Sequence, residues 1–244
     1  MNDSTDLARL LSLIAHELRT PLSVTSGYVK MLATERPGPL NDAQRNAIRG
    51  AGRSADHMTA LATDISLLGR IERGEVQPEP VAIDLPAVLA ELVSAHTVNP
   101  DHPVNVELAP APNGDAAGSG SSPALHADAA HLRRALNALL AAMVRMAPDE
   151  ATLHVGWRIA TGSPATMYVG IAIADRLESL LDAEASALAP LDETQGGLGV
   201  SLPLARRLMA LEGGAIHGLP AERQTPGLRL ALPLAASPDS AAAR

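Results

Sequence analysis

Two long stretches in the first third of the chain repeat apolar side chains at intervals of three and four, and Arg36-Pro37-Gly38-Pro39 lies between them. In the first stretch Leu7, Leu10, Leu11, Ile14, Leu18, Leu22, Thr25, Val29 and Leu32 share one helical face, with Asn2, Asp3 or Ser4 where a cap belongs. In the second, from Asn41-Asp42 to about Arg73, the shared face carries Ile48, Ala51, Ala55, Met58, Ala62, Ile65 and Leu68, and Gly74 supplies the stop. The two prolines between them lack the amide that helix continuation needs, so the chain turns there into an antiparallel hairpin. A hairpin alone leaves its apolar stripe half covered, and a four-helix bundle of two chains covers it. The pattern predicts a homodimer.

Beyond Gly74 the pattern shortens. Glu75–Ile83, Val104–Leu108, Thr152–Ile159, Met167–Ala174 and Leu228–Pro233 read as extended, and Leu85–Ala95, Ala129–Met146 and Ser201–Leu211 as helical. These elements predict an α+β sandwich with helices on one face of a sheet. The stretch Ala109–Pro123, rich in Ala, Gly, Ser and Pro, reads as a flexible loop. The domain boundaries expected are 1–75 for the hairpin, 76–234 for the sandwich and 235–244 for a disordered tail.

Composition narrows the function. No cysteine is present, which removes disulfides, thiolate metal sites and cysteine nucleophiles together. Residues 1–75 hold nine acids and nine bases, so the net charge of −8 belongs to residues 76–244, with 18 acids against 10 bases. A nucleic-acid surface needs a basic stripe, and none is visible. No apolar run is long enough to span a membrane. The opening MNDSTDL carries acids where a secretory signal carries Lys or Arg, and predicts a cytoplasmic location.

The segment SLIAHELRTPLS places His16 beside Glu17, puts Thr20 one helical turn after His16, and sets Pro21 inside the helix. A solvent-facing imidazole can attack a phosphoryl group when a neighbouring carboxylate orients it and takes its proton, the role expected of Glu17. Thr20 can hold a water on the same face. Pro21 removes the amide that would bond to the Glu17 carbonyl and is expected to bend the helix. HELRTPLS resembles the phosphoacceptor box of the dimerisation domain of two-component sensor histidine kinases, and LATDISLLGRIERGE resembles the end of that domain's second helix. The resemblance implies a phosphoryl group carried on His16. It also implies that Glu17 and Thr20 serve in dephosphorylating a partner response regulator.

The later region resembles the ATP-binding domain that follows in the same family, of the Bergerat type. LHADAAHLRRALNALLAAMVRMAP is similar to its first nucleotide helix, but Ala138 and Ala142 stand where the family has asparagines, and Asn137 is one residue out of register. VGIAIADRLESL is similar to the strand and turn bearing Asp-x-Gly-x-Gly. Asp175 matches the adenine-recognising aspartate, while Leu177 and Ser179 replace the glycines. TQGGLGVSLPLARRLMALEGGAI keeps Gly197, Leu198 and Gly199, which the resemblance assigns to phosphate binding at a helix start. EGGAIHGLP and PGLRLALPL resemble the family's final strands. The family's cofactors are ATP and magnesium, and the lost asparagines and glycines weaken that site here. No metal ligand set is expected: His57, His96, His102, His126, His131, His154 and His217 show no ligand spacing.

The leading expectation is therefore a dimeric phosphorelay protein that exchanges a phosphoryl group between His16 and the aspartate of a response-regulator receiver domain. It would act as a phosphotransferase or regulator phosphatase over a degenerate ATP-binding-like domain, as some dimeric phosphotransferases of this kind do. One alternative is an active ATP-dependent autokinase. Another is a non-enzymatic dimeric interaction module. The short segment before His16 holds no sensor domain, so input is expected from a partner such as an upstream sensor kinase, or from a longer chain.

Overall fold

The computed structural model describes residues 3–96, 98, 102–110, 125–160, 165–184, 188–190, 200–218 and 227–234. The chain divides into two compact units, Met1–Gln77 and Pro78–Arg244.

The first unit is the hairpin, with α1 at Asp3–Ala33 and α2 at Asp42–Glu72. Asn41 starts α2 with a capping box: its side chain accepts from Gln44 N at 2.8 Å, and the Gln44 side chain accepts from Asn41 N at 2.9 Å. The turn before it holds Glu35 at φ 55° and Gly38 at φ 149°, and the Glu35 carboxylate pairs with Arg45. Small residues line the seam between the helices: Ala8, Ala15, Ala55, Ala62 and Gly69 are all buried. A Cβ on Gly69 would lie 2.7 Å from Ser12 Oγ and 3.0 Å from the Ala8 carbonyl oxygen, so only glycine fits that crossing. Next to it the Arg73 guanidinium donates to the Ala8 carbonyl (3.1 Å) and Ser12 Oγ (2.6 Å) while pairing with Glu75. The hairpin covers only part of its apolar surface. Leu7, Leu10, Leu13, Val24 and Tyr28 on α1 are each more than half exposed.

The second unit runs β1 (Val81–Ile83), α3 (Leu85–Ser94), β2 (Asn105–Leu108), β3 (Leu125–Ala127), α4 (Ala129–Met146), β4 (Thr152–Ala160) and β5 (Thr166–Ile173). It continues through α5 (Ala174–Asp182), β6 (Ala189–Pro190), α6 (Ser201–Leu211), β7 (Ala215–Gly218) and β8 (Gly227–Pro233). The main sheet has the order β2-β4-β5-β8-β7-β6, with β2 and β4 parallel and every other pairing antiparallel; β1 and β3 form a separate antiparallel pair.

Side chains alternate across the sheet. One face carries Leu153, Val155, Met167, Val169, Ile171, Leu228, Leu230 and Leu232, all buried. Against it lie α3, α4 and α6, whose own buried rows include Leu89, Leu132, Leu136, Leu139, Met143, Leu202 and Leu208. The opposite face presents Gly156, Gly170 and Ala172, and there the structure departs from the expectation of helices on one side only. Helix α5 lies on this second face: a Cβ at Gly156 would meet Leu177 Cδ2 at 2.8 Å, and one at Gly170 would meet Leu177 Cδ1 and Leu181 Cδ2 at 3.0 Å. Buried Arg229 on β8 anchors the end of α5 by donating to the carbonyls of Leu180 and Ala183, and it stacks over the Tyr168 ring at 4.2 Å. Arg158 on β4 pairs with Glu178 and Asp182 of the same helix.

The expected extended segment 75–83 contracts to the three residues of β1, and β3 and α5 are additional elements. The expected loop at 109–123 falls largely outside the described residues, as does the tail at 235–244.

Candidate functional site

Helix α1 presents His16, Glu17 and Thr20, all three exposed. Ala15 and Leu22 are buried, and the adjacent residue on a helix is turned by roughly 100 degrees, which directs His16 away from that buried row. Thr20 stands four residues on, over the same face, and Glu17 and Thr20 are three apart, so their side chains are helix-surface neighbours. Helix α1 continues through Pro21. Pro21 carries no N–H, so the Glu17 carbonyl has no helical donor, and Thr25 Oγ1 donates to the Pro21 carbonyl at 2.9 Å in the following turn. The result is an imidazole, a carboxylate and a hydroxyl on one solvent-facing turn, the set a phosphoryl-accepting nucleophile and a water-holding group require.

The residues of the nucleotide-like region are placed differently. Ala138 and Ala142 on α4 are buried at 7% and 0% exposure. Their methyl groups offer no oxygen to magnesium, which needs hard oxygen donors, so these positions do not fit the ion. Asn137 is exposed, and its side-chain amide donates to the Arg133 carbonyl at 2.8 Å. Asp175, expected at a turn after a strand, sits exposed in the first turn of α5, and Leu177 is buried beneath that helix at 3% exposure. A helix thus occupies the segment where glycines would form a nucleotide wall. Gly197, Leu198 and Gly199 lie outside the described residues.

One group escaped the sequence. Asp128, His131 and Glu212 converge where α4 begins and α6 ends. Burial alone would raise the Asp128 pKa, but bonds from the backbone N–H groups of Glu79, His131 and Ala130, with the His131 ring nearby, outweigh it and hold the carboxyl below its ordinary value. Asp128 and His131 are three apart on one helix start. Glu212 is far along the chain, and nothing local announces it.

Comparison with known proteins finds a match over the first unit. Residues 6–74 match the His Kinase A (phospho-acceptor) domain. The cell-division control histidine kinases PdhS of Brucella ovis and Brucella abortus are 33% identical over 92 residues, which is 37% of this chain and 9% of theirs. The chain therefore spans only a small part of the length of the curated relatives it matches. Among solved structures, full-length ShkA in complex with AMPPNP is similar at TM-score 0.64 and 20% identity, over 94% of this chain and 47% of that one. Histidine kinase AdeS of Acinetobacter baumannii is similar at TM-score 0.53 and 14% identity, over 91% of this chain and 98% of that one. These two likenesses identify the fold, a helical hairpin followed by the α/β domain of histidine kinases. Residues 6–74, with His16 on their first helix, are similar to the phospho-acceptor domain of histidine kinases.

Proposed function

We propose that this chain is a phosphorelay protein that carries a phosphoryl group on His16 and exchanges it with a response-regulator aspartate, as a phosphotransferase or regulator phosphatase. Residues 1–75 are read as the dimerising phosphoacceptor domain, residues 76–234 as a degenerate ATP-binding domain, and the second hairpin of the bundle as another copy of the chain. In transfer from a regulator, an imidazole nitrogen of His16 attacks the phosphorus of the aspartyl phosphate. A P–N bond forms, the P–O bond to the carboxyl breaks, the carboxylate leaves, and Glu17 takes the ring proton. In the phosphatase reaction Thr20 holds a water that attacks the same phosphorus, and inorganic phosphate leaves.

The observation that carries this reading over ATP-driven autophosphorylation is the burial of Ala138, Ala142 and Leu177 at positions where the resemblance puts nucleotide contacts. Exchange with a regulator needs none of them. The autokinase reading draws on Asp175, on the Gly197-Leu198-Gly199 segment and on the structural likeness to ShkA, which was solved with AMPPNP. No described helix is long and apolar enough to cross a membrane, and a cytoplasmic site of action fits that.

The test supplies the full chain, in parallel, with γ-labelled ATP plus magnesium and with a phosphorylated receiver domain. Label on the wild type from the receiver alone, lost in His16→Ala, is the expected result. Label from ATP, lost in the same variant, would replace this reading with the autokinase. A His16→Ala protein that keeps all biological activity would end both phosphoryl-transfer readings and leave the interaction module.

A further inference from the structure

Asp128 caps α4: its Oδ1 accepts from Ala130 N at 2.9 Å and from His131 N at 3.1 Å, and its Oδ2 accepts from Glu79 N at 3.1 Å. His131 Nδ1 lies 3.0 Å from Glu212 Oε1 and 3.8 Å from Asp128 Oδ2. Glu212 Oε2 accepts from Asp128 N at 3.3 Å. One ligand-type atom from each of the three side chains falls within 4.8 Å of the others, and the side chains are only 15%, 12% and 5% exposed.

His131 Nδ1 reaches Glu212 Oε1, while Asp128 Oδ2, 3.8 Å from Nδ1, is held by the Glu79 N–H. Two carboxylates around one imidazole keep a net negative charge whether the ring is neutral or protonated, and backbone N–H groups orient that charge toward one point. A dication among the three side chains would balance both carboxylates. Atoms about 2.0–2.2 Å from a shared ion stand roughly 3.4 Å apart in a tetrahedron, and 3.0 and 3.8 Å bracket that separation. The backbone amides on Asp128 and Glu212 already fix both carboxylates, the supporting contacts that metal ligands use. An imidazole in the set selects zinc-class ions over magnesium or calcium.

We propose that Asp128, His131 and Glu212 form a binding site for a divalent cation of the zinc class, which fastens the start of α4 to the end of α6 with solvent completing its shell. The site is independent of His16 and of phosphoryl transfer.

The test uses the full chain without an affinity tag, stripped by chelator. Zinc chloride is titrated by calorimetry, and cobalt(II) is followed by its visible absorption. The expected result is one ion per chain, proton release on binding, and a raised melting temperature. His131→Gln and Glu212→Gln should each weaken binding by more than about tenfold, while His16→Ala and His102→Gln leave it unchanged. Far-UV circular dichroism shows which variants are folded, and either folded variant decides the matter. Absence of saturable binding to the wild type overturns the site and leaves a proton-bridged cluster. Binding that persists in a folded variant, or that follows His102 instead, places the ion elsewhere and overturns it equally.

Discussion

Both ring nitrogens of His102 face acceptors, Nδ1 the Asp149 carboxylate and Nε2 the Val144 carbonyl at 2.8 Å, so the geometry calls for a doubly protonated ring. The bond to the Val144 backbone, followed by that to Asp149, raises the His102 pKa above its ordinary value. A raised folded-state pKa stabilises below the unfolded value of about 6.5 and loses that contribution as pH climbs through the folded value. Urea midpoints measured from mildly acidic to alkaline pH should therefore fall for the wild type and fall less for His102→Gln. Parallel profiles would refute the assignment. A second residue-scale expectation concerns Ala142, fully buried on α4. Asn at this position should lower stability by about 1–3 kcal/mol, the cost of an unsatisfied buried amide, without creating magnesium–ATP binding. Denaturant titration and nucleotide calorimetry check the two halves, and a variant that gains nucleotide at no loss of stability would show that the pocket is intact.

Among the elements, α5 gives the sharpest contrast between what the sequence says and what forms. Helices α1, α2, α4 and α6 are legible because their apolar spacing persists over several turns and their ends carry Asn41, Asp128 or a glycine stop. Leu177, Leu180 and Leu181 carry the same three-and-four spacing, but the likeness of their segment to a glycine turn hid it. Strand β3 is too short for any periodicity to register. The proposed phosphoacceptor turn at His16 is legible because its residues lie within one turn; the Asp128 cluster is not, because Glu212 arrives through the tertiary fold. The close fit of α5 is testable: Gly170→Val should cost about 1–3 kcal/mol by overpacking against Leu177 and Leu181. Leu181→Ala added to it should cost less than the sum of the two single changes. Strict additivity would mean that α5 does not press on that strand.

For the whole molecule, the uncovered row on α1 carries the prediction. Leu10 and Leu13 are 52% and 57% exposed, and a second hairpin would bury them. Sedimentation should give about twice the chain mass of 25.2 kDa, and Leu13→Glu should shift it to the single chain while helix content is largely kept. A wild type that sediments as one chain would remove the dimer from the proposed function.

The lack of phenylalanine and the single tryptophan have a practical optical consequence. Trp157 sits partly buried on β4, opposite Val169, inside the second unit. The hairpin carries no indole at all, only Tyr28. Indole emission therefore watches the sandwich alone, while amide absorption records both units, and any gap between the two melting curves reads out, without a dye or label, whether the hairpin and the sandwich come apart together.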